Sequence, residues 1–520
     1  MGNMTKDISN QYVEEVSNAS KESIVSVEDL AKLTDGRGAD YITGLPASLR
    51  HYSVDQLNAL ETGFRRKVDR RLLPTIIVMF LLNILDRNNI AAARLQGLEE
   101  DLDLHGNQYY TALMILYVGY ILMQVPSNML LPHVKPSLMI PGCMIAWGLV
   151  SALTAATQNF AGLLVCRFFV GFTEAPFFCG AVFLLSGWYK KSELATRITT
   201  LYCGNTLANC FGGLIAAGVL HGLDGVKGML AWRWLFIIEG TATILMAIAA
   251  MFILPNWPHN TSWLSAEEKE MARYRLAYET AGRADDEDDS PLEGLKQAVS
   301  DPKVWLLVLM QHALLVGMSY VYFFPSIVKT LGYGNIHTLL LTAPPYVFAF
   351  ITAIVVSWHS GKTNERCFHI VIPILISGLG QIIFVSTLQT GARYFAMFLM
   401  TGGAYCAFNV VMSWVSSAIP RPRTKRAVAL AMVAALSNAS HTYTSYIFPK
   451  EDAPRYMNSA IILAVFCVVC ACCALGLRFW LASLNKKAAL EEAGDAESGA
   501  IYDGHVSKAT GMRRGFRYQL

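Results

Sequence analysis

The segment NILDRNNI, residues 83–90, sets Asp86 beside Arg87 near the end of an apolar run, and CRFFVGFTEAP, residues 166–176, sets Arg167 seven residues before Glu174. An isolated charge at the centre of a bilayer costs about 3 kcal/mol or more, so acids and bases inside apolar runs face a polar cavity or a partner. Asn83, Asp86, Arg87 and Ile90 follow an i, i+3, i+4, i+7 spacing, which predicts one polar stripe along a helix. Arg167 and Glu174 stand two turns apart on one face, roughly 10 Å from each other. The chemistry open to such a set is proton carriage linked to anion binding. Burial favours the neutral form of a carboxyl group, and a neighbouring arginine favours the ionised form. An anion that occupies the arginine removes the second influence, so anion binding and protonation favour each other. The plainer alternative is that Asp86 and Arg87 only neutralise one another near a membrane interface.

The elements that must position these residues are membrane helices. Of 520 residues 53% are hydrophobic and 16% charged, which is unlike a soluble domain. Hydropathy, broken at Gly, Pro and charge, predicts twelve spans near 72–94, 109–131, 137–157, 160–186, 198–220, 232–254, 304–328, 338–358, 368–388, 394–417, 427–447 and 459–484. Asp86 lies about 22 Å along the first of them from Arg71, past the midplane. Glycines and small residues around Glu174 (Gly171, Ala175, Gly180) predict close helix approach, and Pro176 predicts a break in the backbone bonding just after it.

The predicted architecture is all-α and polytopic, with two six-helix bundles. Residues 1–64 read as a disordered cytosolic tail without a cleaved signal, 65–254 as the first bundle and 255–303 as a cytosolic linker. Residues 304–485 read as the second bundle and 486–520 as a cytosolic tail. In the linker, Ser265 and Glu268 form a capping box that starts a short amphipathic helix, and RADDEDDSP reads as a solvated acidic run. Trp188 and Trp414 end the fourth and tenth spans, and Arg197 precedes Asn209 by the interval that separates Arg426 from Asn438, the mark of parallel repeats. Basic residues (Arg65, Arg66, Lys67, Arg70, Arg71, Lys190, Lys191, Lys362, Arg366, Arg421, Arg423, Lys425, Arg426, Lys486, Lys487) place both termini in the cytosol. The sequons at Asn3, Asn18, Asn260 and Asn438 are then cytosolic or intramembrane and carry no glycan.

A formal charge of +3 leaves no nucleic-acid footprint. Cysteines fall inside spans except Cys367, so no disulfide framework is implied, and Cys467, Cys470, Cys472 and Cys473 read as small core residues rather than a metal site. No nucleophile and base arrangement, phosphate loop or cofactor motif marks an enzyme. Further polar stripes comprise Tyr117, Tyr120, Gln124 and Asn128, Asn205 and Asn209, Tyr320 and Tyr322, and Asn438, His441 and Ser445, with His312 apart. Each has the interhelical hydrogen bond as its alternative reading. Tyr117, Gln124, Asn209 and Asn438 are candidate substrate contacts, and Glu193 with Arg197 a candidate gate or structural ion pair.

Together LDRNNI, RFFVGFTEAPF followed by WYKKSELATR, LPNWPHNTSWLSAEE and IFPKEDAPRY resemble the major facilitator superfamily, in particular the anion:cation symporter family and its fungal allantoate permease branch. The resemblance spans roughly residues 60–485. The loop PHVKPSLMIPG departs from the superfamily's usual Gly and Asp-Arg pattern. The resemblance implies that Asp86 and Glu174 carry protons, that Arg87 clamps a substrate carboxylate, and that Arg167 tunes Glu174. It implies a monomeric, cofactor-free secondary transporter of a fungal plasma membrane that takes up a small organic anion with protons by alternating access. Nicotinate, allantoate or a related vitamin are the substrates it points to. The alternatives are export of a secondary metabolite on the same fold and, from another class, a nutrient receptor that does not transport.

Overall fold

The computed structural model describes residues 45–130, 134–258, 261–281, 291–419, 423–497 and 517–520. Outside them lie most of the expected N-terminal tail, the sequons at Asn3, Asn18 and Asn260, the acidic run after residue 281, Arg421 and most of the C-terminal tail. Secondary structure among the described residues is helical throughout. The helices are α1 (Val54–Leu95), α2 (Gln108–Leu130), α3 (Pro136–Leu153), α4 (Phe160–Glu174), α5 (Pro176–Ser186), α6 (Lys191–Leu223), α7 (Ala231–Ile253), α8 (Ala266–Ala281) and α9 (Pro291–Val299). They continue with α10 (Pro302–Gly317), α11 (Phe324–Lys329), α12 (Asn335–Thr363), α13 (Phe368–Ser386), α14 (Thr390–Ala418), α15 (Arg423–Asn438) and α16 (Met457–Glu497). Four-residue turns at Leu98–Asp101 and His441–Thr444 complete the connections used below.

Contacts divide the chain into two units. One holds Leu72–Ser186, Lys191–Leu254 and Asp285–Leu520, and with it both six-span halves. Nine segments among the described residues are long and apolar enough to cross a membrane. The other three expected spans are also helical, as the later part of α1, as α2, and as α15 with the His441–Thr444 turn. Phe252, Leu245, Trp358, Ile351, Phe395 and Phe479 stand exposed around these helices, an exterior suited to lipid.

Three expected spans are not single rods. The fourth divides at Ala175 into α4 and α5, as Pro176 dictates by removing a backbone donor. The seventh, expected as one helix, is α10, a 3-10 stretch at Ser319–Phe323 and α11, with Gly317 and Pro325 flanking the change. The eleventh stops at Asn438 and resumes at His441. Glycines set the closest helix approaches. A Cβ at Gly171 would overlap the Leu116 carbonyl, and one at Gly403 the Pro373 carbonyl, so α2 rests on α4 and α13 on α14 with almost no gap.

The second unit comprises the chain up to Arg71, Gly187–Lys190 and Pro255–Ala284. Residues 45–64, expected within the tail, carry structure because Leu45, Leu49 and Leu57 supply an apolar face that packs on Met271 of α8. The capping box at the start of α8 forms as expected: Ser265 N donates to Glu268 Oε2 at 2.9 Å and Glu268 N to Ser265 Oγ at 3.2 Å. Trp188 is buried between Phe64 and Trp263, with ring centroids 6.4 and 5.6 Å away. Lys190 Nζ and Arg275 Nε reach Glu61 Oε1 at 2.6 and 2.9 Å.

Burial alone would raise the Glu61 pKa, yet Arg275 and then Lys190 outweigh it and hold the carboxyl below its usual range. A carboxyl depressed in the folded state stabilises it above the unfolded pKa, about 4.3 for Glu, and loses that contribution as pH falls through the folded value. Glu61→Gln is therefore expected to lower stability at neutral pH and to flatten the acid limb of a thermal-midpoint profile. An unchanged profile would remove this ion-pair cluster from the account of stability.

Candidate functional site

Arg87 on α1, half-buried, and Glu174 at the end of α4, fully buried, form an ion pair through Arg87 Nη2 and Glu174 Oε1. The break before Pro176 leaves Glu174 as the last residue of α4, and the Gly171 contact brings the neighbouring part of α2 close. From α2, the rings of Tyr120 and Tyr117 lie 5.1 and 5.7 Å from the guanidinium carbon. Tyr117 hydrogen-bonds Tyr322 of the 3-10 stretch through their hydroxyls, and its ring lies 4.4 Å from that of His441. The breaks in the seventh and eleventh spans thus deliver side chains to Tyr117, beside Arg87. An ion pair walled by aromatic faces is a place where a ligand anion can exchange with Glu174 for the guanidinium.

Arg167 is buried one layer away, and its Nη2 donates to the backbone carbonyl of Arg87 at 3.0 Å, while Nε and Nη1 are unpartnered. The ion partner of Glu174 is therefore Arg87, and Arg167, the expected tuner of Glu174, holds the backbone that carries that partner. A second polar line runs from α1 to α14: Asn88 Nδ2 donates to Asn209 Oδ1 at 2.9 Å, and Asn209 Nδ2 to Tyr405 Oη at 3.2 Å. Asn205 backs Asn209 one turn earlier on α6, its carbonyl accepting at 2.9 Å.

Asp86 does not share the Arg87 environment. It is 1% exposed and accepts from Trp147 Nε1 at 3.2 Å and Ser151 Oγ at 2.9 Å on α3, and from Thr243 Oγ1 at 2.6 Å on α7. The expected single stripe is thus two faces, because consecutive helical residues diverge by about 100°. Gln124 is half-buried on α2, where its backbone carbonyl accepts from Ser127 Oγ. Asn438 ends α15 and is half-buried. At the start of α6, Arg197 Nη1 donates to the Glu193 carbonyl at 2.9 Å. Tyr320 donates to the Met400 carbonyl, and His312 bonds Tyr443, so neither joins the Arg87 group. Sequence reading missed Asn88, Asn89 and Tyr405, and above all Glu239 on α7. Its signal was present as a lone acid in FIIEGTATI. No group of three or more His, Cys, Asp or Glu side chains fit to hold a metal ion occurs among the described residues.

A lipid-suited exterior of helices around a buried polar centre built from both halves defines a polytopic membrane protein of the solute-transporter kind. The chain belongs to the Major Facilitator Superfamily, whose family pattern matches residues 76–442. It is 33% identical over 438 residues to the MFS-type transporter efuF of Hormonema carpetanum, covering 82% of this chain and 87% of that one. It is 36% identical over 404 residues to the MFS-type transporter cnsO of Penicillium expansum, with 75% and 77% covered. The Major facilitator-type transporter hxnP of Emericella nidulans is 30% identical over 462 residues, with 86% and 92% covered. Among solved structures, a bacterial homolog of the human lysosomal transporter Spinster, inward-facing and occupied, superposes with a TM-score of 0.61 at 17% identity, covering 80% of this chain and 97% of that one. A D-xylose-proton symporter superposes with a TM-score of 0.57 at 15% identity, with 78% and 97% covered. The protein is a multi-pass membrane transporter of this superfamily.

Proposed function

We propose that this transporter imports a small organic anion together with protons, as a member of the anion:cation symporter family close to the allantoate permease branch. Its membrane is then a fungal plasma membrane, with both termini cytosolic. The observation that carries the reading is the Arg87–Glu174 pair. A substrate carboxylate that takes the guanidinium leaves Glu174 buried without its cation, and a proton then neutralises it. Anion binding and protonation are linked reciprocally by that exchange. Tyr117 and Tyr120 flank the arginine, which suits a planar carboxylate such as nicotinate. Asp86 is the second proton carrier, Arg167, Gln124, Asn209 and Asn438 complete the substrate surroundings, and Glu193 with Arg197 serve the gate.

One proton carried with a monoanion is electroneutral and draws only on the pH gradient, about 1.4 kcal/mol per pH unit. A second proton adds the same again and about 2.3 kcal/mol per 100 mV of membrane potential. Purified protein in liposomes is expected to accumulate labelled nicotinate or allantoate under an inward proton gradient, and Asp86→Asn to lose the accumulation. Background uptake of the whole carboxylate panel by folded protein would defeat this reading in favour of an exporter of larger solutes.

A further inference from the structure

A cleft between α1, α6, α7, α11 and α12 carries an acid that the scheme above leaves unused. Glu239 is 3% exposed in an otherwise apolar stretch of α7, and its Oε2 lacks a hydrogen-bond partner. Asn89 of α1, whose amide acts on that carboxyl from close by, is 5% exposed, and neither Nδ2 nor Oδ1 makes a hydrogen bond of full geometry. Both residues line the cleft. Gly240 holds α7 against α3, since a Cβ there would stand 2.7 Å from the Gly148 carbonyl, and this close packing fixes the position of its neighbour Glu239.

The other elements around the cleft bring neutral groups: Asn88 from α1, Asn209 from α6, Phe324 from α11, and Thr342 and Tyr346 from α12. The charged group that acts on Glu239 is Asp86, one turn before Asn89, and its own oxygens take three neutral donors. Two buried carboxyl groups therefore share this seam, and neither has a cation partner among the described residues. Such a seam calls for positive charge.

The unpartnered atoms point to what supplies it. An ionised carboxylate only accepts hydrogen bonds, so it can meet the amide nitrogen of Asn89 but not its oxygen. A carboxylic acid offers one donor and one acceptor, the complement of a primary amide, and the two close through paired hydrogen bonds. Such a pair uses four atoms, and three of them, Glu239 Oε2 and both amide atoms of Asn89, are unpartnered, Oε2 as the hydroxyl that donates to Oδ1 and Oε1 as the carbonyl that accepts from Nδ2.

We propose that Glu239 is a proton-binding site of this transporter, distinct from the Arg87–Glu174 pair, in which the bound proton closes an acid–amide pair with Asn89. Hydronium in the cleft gives the proton to Oε2 and leaves water, and the reverse transfer frees it when the pair opens. The role in transport rests on the proton-coupled reading above, whereas proton binding itself can be read without any substrate.

The test is pH-difference infrared spectroscopy on the purified full-length protein. The expected result is a carboxylic-acid carbonyl band that Glu239→Gln removes and that Asn89→Leu shifts to the frequency of an acid without a hydrogen-bonded carbonyl. Spectra unaltered by both substitutions would overturn the proposal. So would a Glu239 carboxylate band that responds to sodium chloride and not to pH, which would mark a metal-cation site. Should Glu239→Gln misfold, the Asn89→Leu shift decides alone. In liposomes with nicotinate, the proton-to-substrate ratio is expected to fall by one in Glu239→Gln, and an unchanged ratio would end the transport role. Absence of nicotinate uptake alongside the expected infrared bands would sink the substrate reading and leave the proton site standing.

Discussion

Arg87→Ala is expected to abolish anion uptake and to cost about 3–5 kcal/mol of stability, the usual penalty for removing one partner of a buried ion pair. The cost arises because Glu174, 1% exposed, loses its cation and must either stay an unpaired carboxylate or take up a proton. Tyr117 and Tyr120 also lose the guanidinium over their rings, worth about 0.5–1 kcal/mol each at ordinary sites. Stability and transport separate in the double substitution Arg87→Ala/Glu174→Gln. Its neutral pair should recover most of the thermal midpoint, since no charge is stranded, yet bind no anion. The two readouts are the midpoint of the purified protein and nicotinate accumulation in liposomes. Wild-type accumulation by the double variant would show that the pair holds the fold together without touching the substrate.

The second large effect is expected at Gly171. A methyl group there would occupy the space of the Leu116 carbonyl, a backbone atom that cannot turn aside. Gly171→Ala must therefore push α2 away from α4 and carry Tyr117 and Tyr120 away from Arg87. Overpacking of a well-fitted interface costs typically about 1–3 kcal/mol, and here the displaced side chains are the walls of the candidate site. We expect a lowered midpoint, a smaller monodisperse fraction on size-exclusion chromatography and loss of uptake. Gly142→Ala is the control, because no atom stands within 4 Å of a Cβ at that position. Equal behaviour of the two variants would contradict the close approach of α2 and α4.

Hydropathy located the twelve helical segments because lipid demands about 20 apolar residues of each one. Local rules did as well where the cause is local: the Ser265–Glu268 box starts α8, and Pro176 splits the fourth span behind Glu174. What depends on neighbouring helices was not legible. Nothing along the chain says that Asp86 turns toward Trp147, Ser151 and Thr243 while Arg87 turns toward Glu174. Both follow from the packing of α1, α3, α4 and α7. Glu239 escaped for another reason. It has no charged or polar neighbour along α7 within a turn except Thr243 and Thr241, so no stripe announced it. Residues 54–71 were too polar for a hydropathy reading, yet they extend the first helix by about five turns at 3.6 residues per turn.

The two faces of α1 have a mechanical consequence. Asp86 keys the helix to α3 and α7, and the adjoining residue keys it to α4, so α1 is an axle gripped on two sides. On the proposed scheme the proton at Asp86 and the anion at Arg87 act on one helix from different sides, so the backbone the two residues share links them without any bond between their side chains.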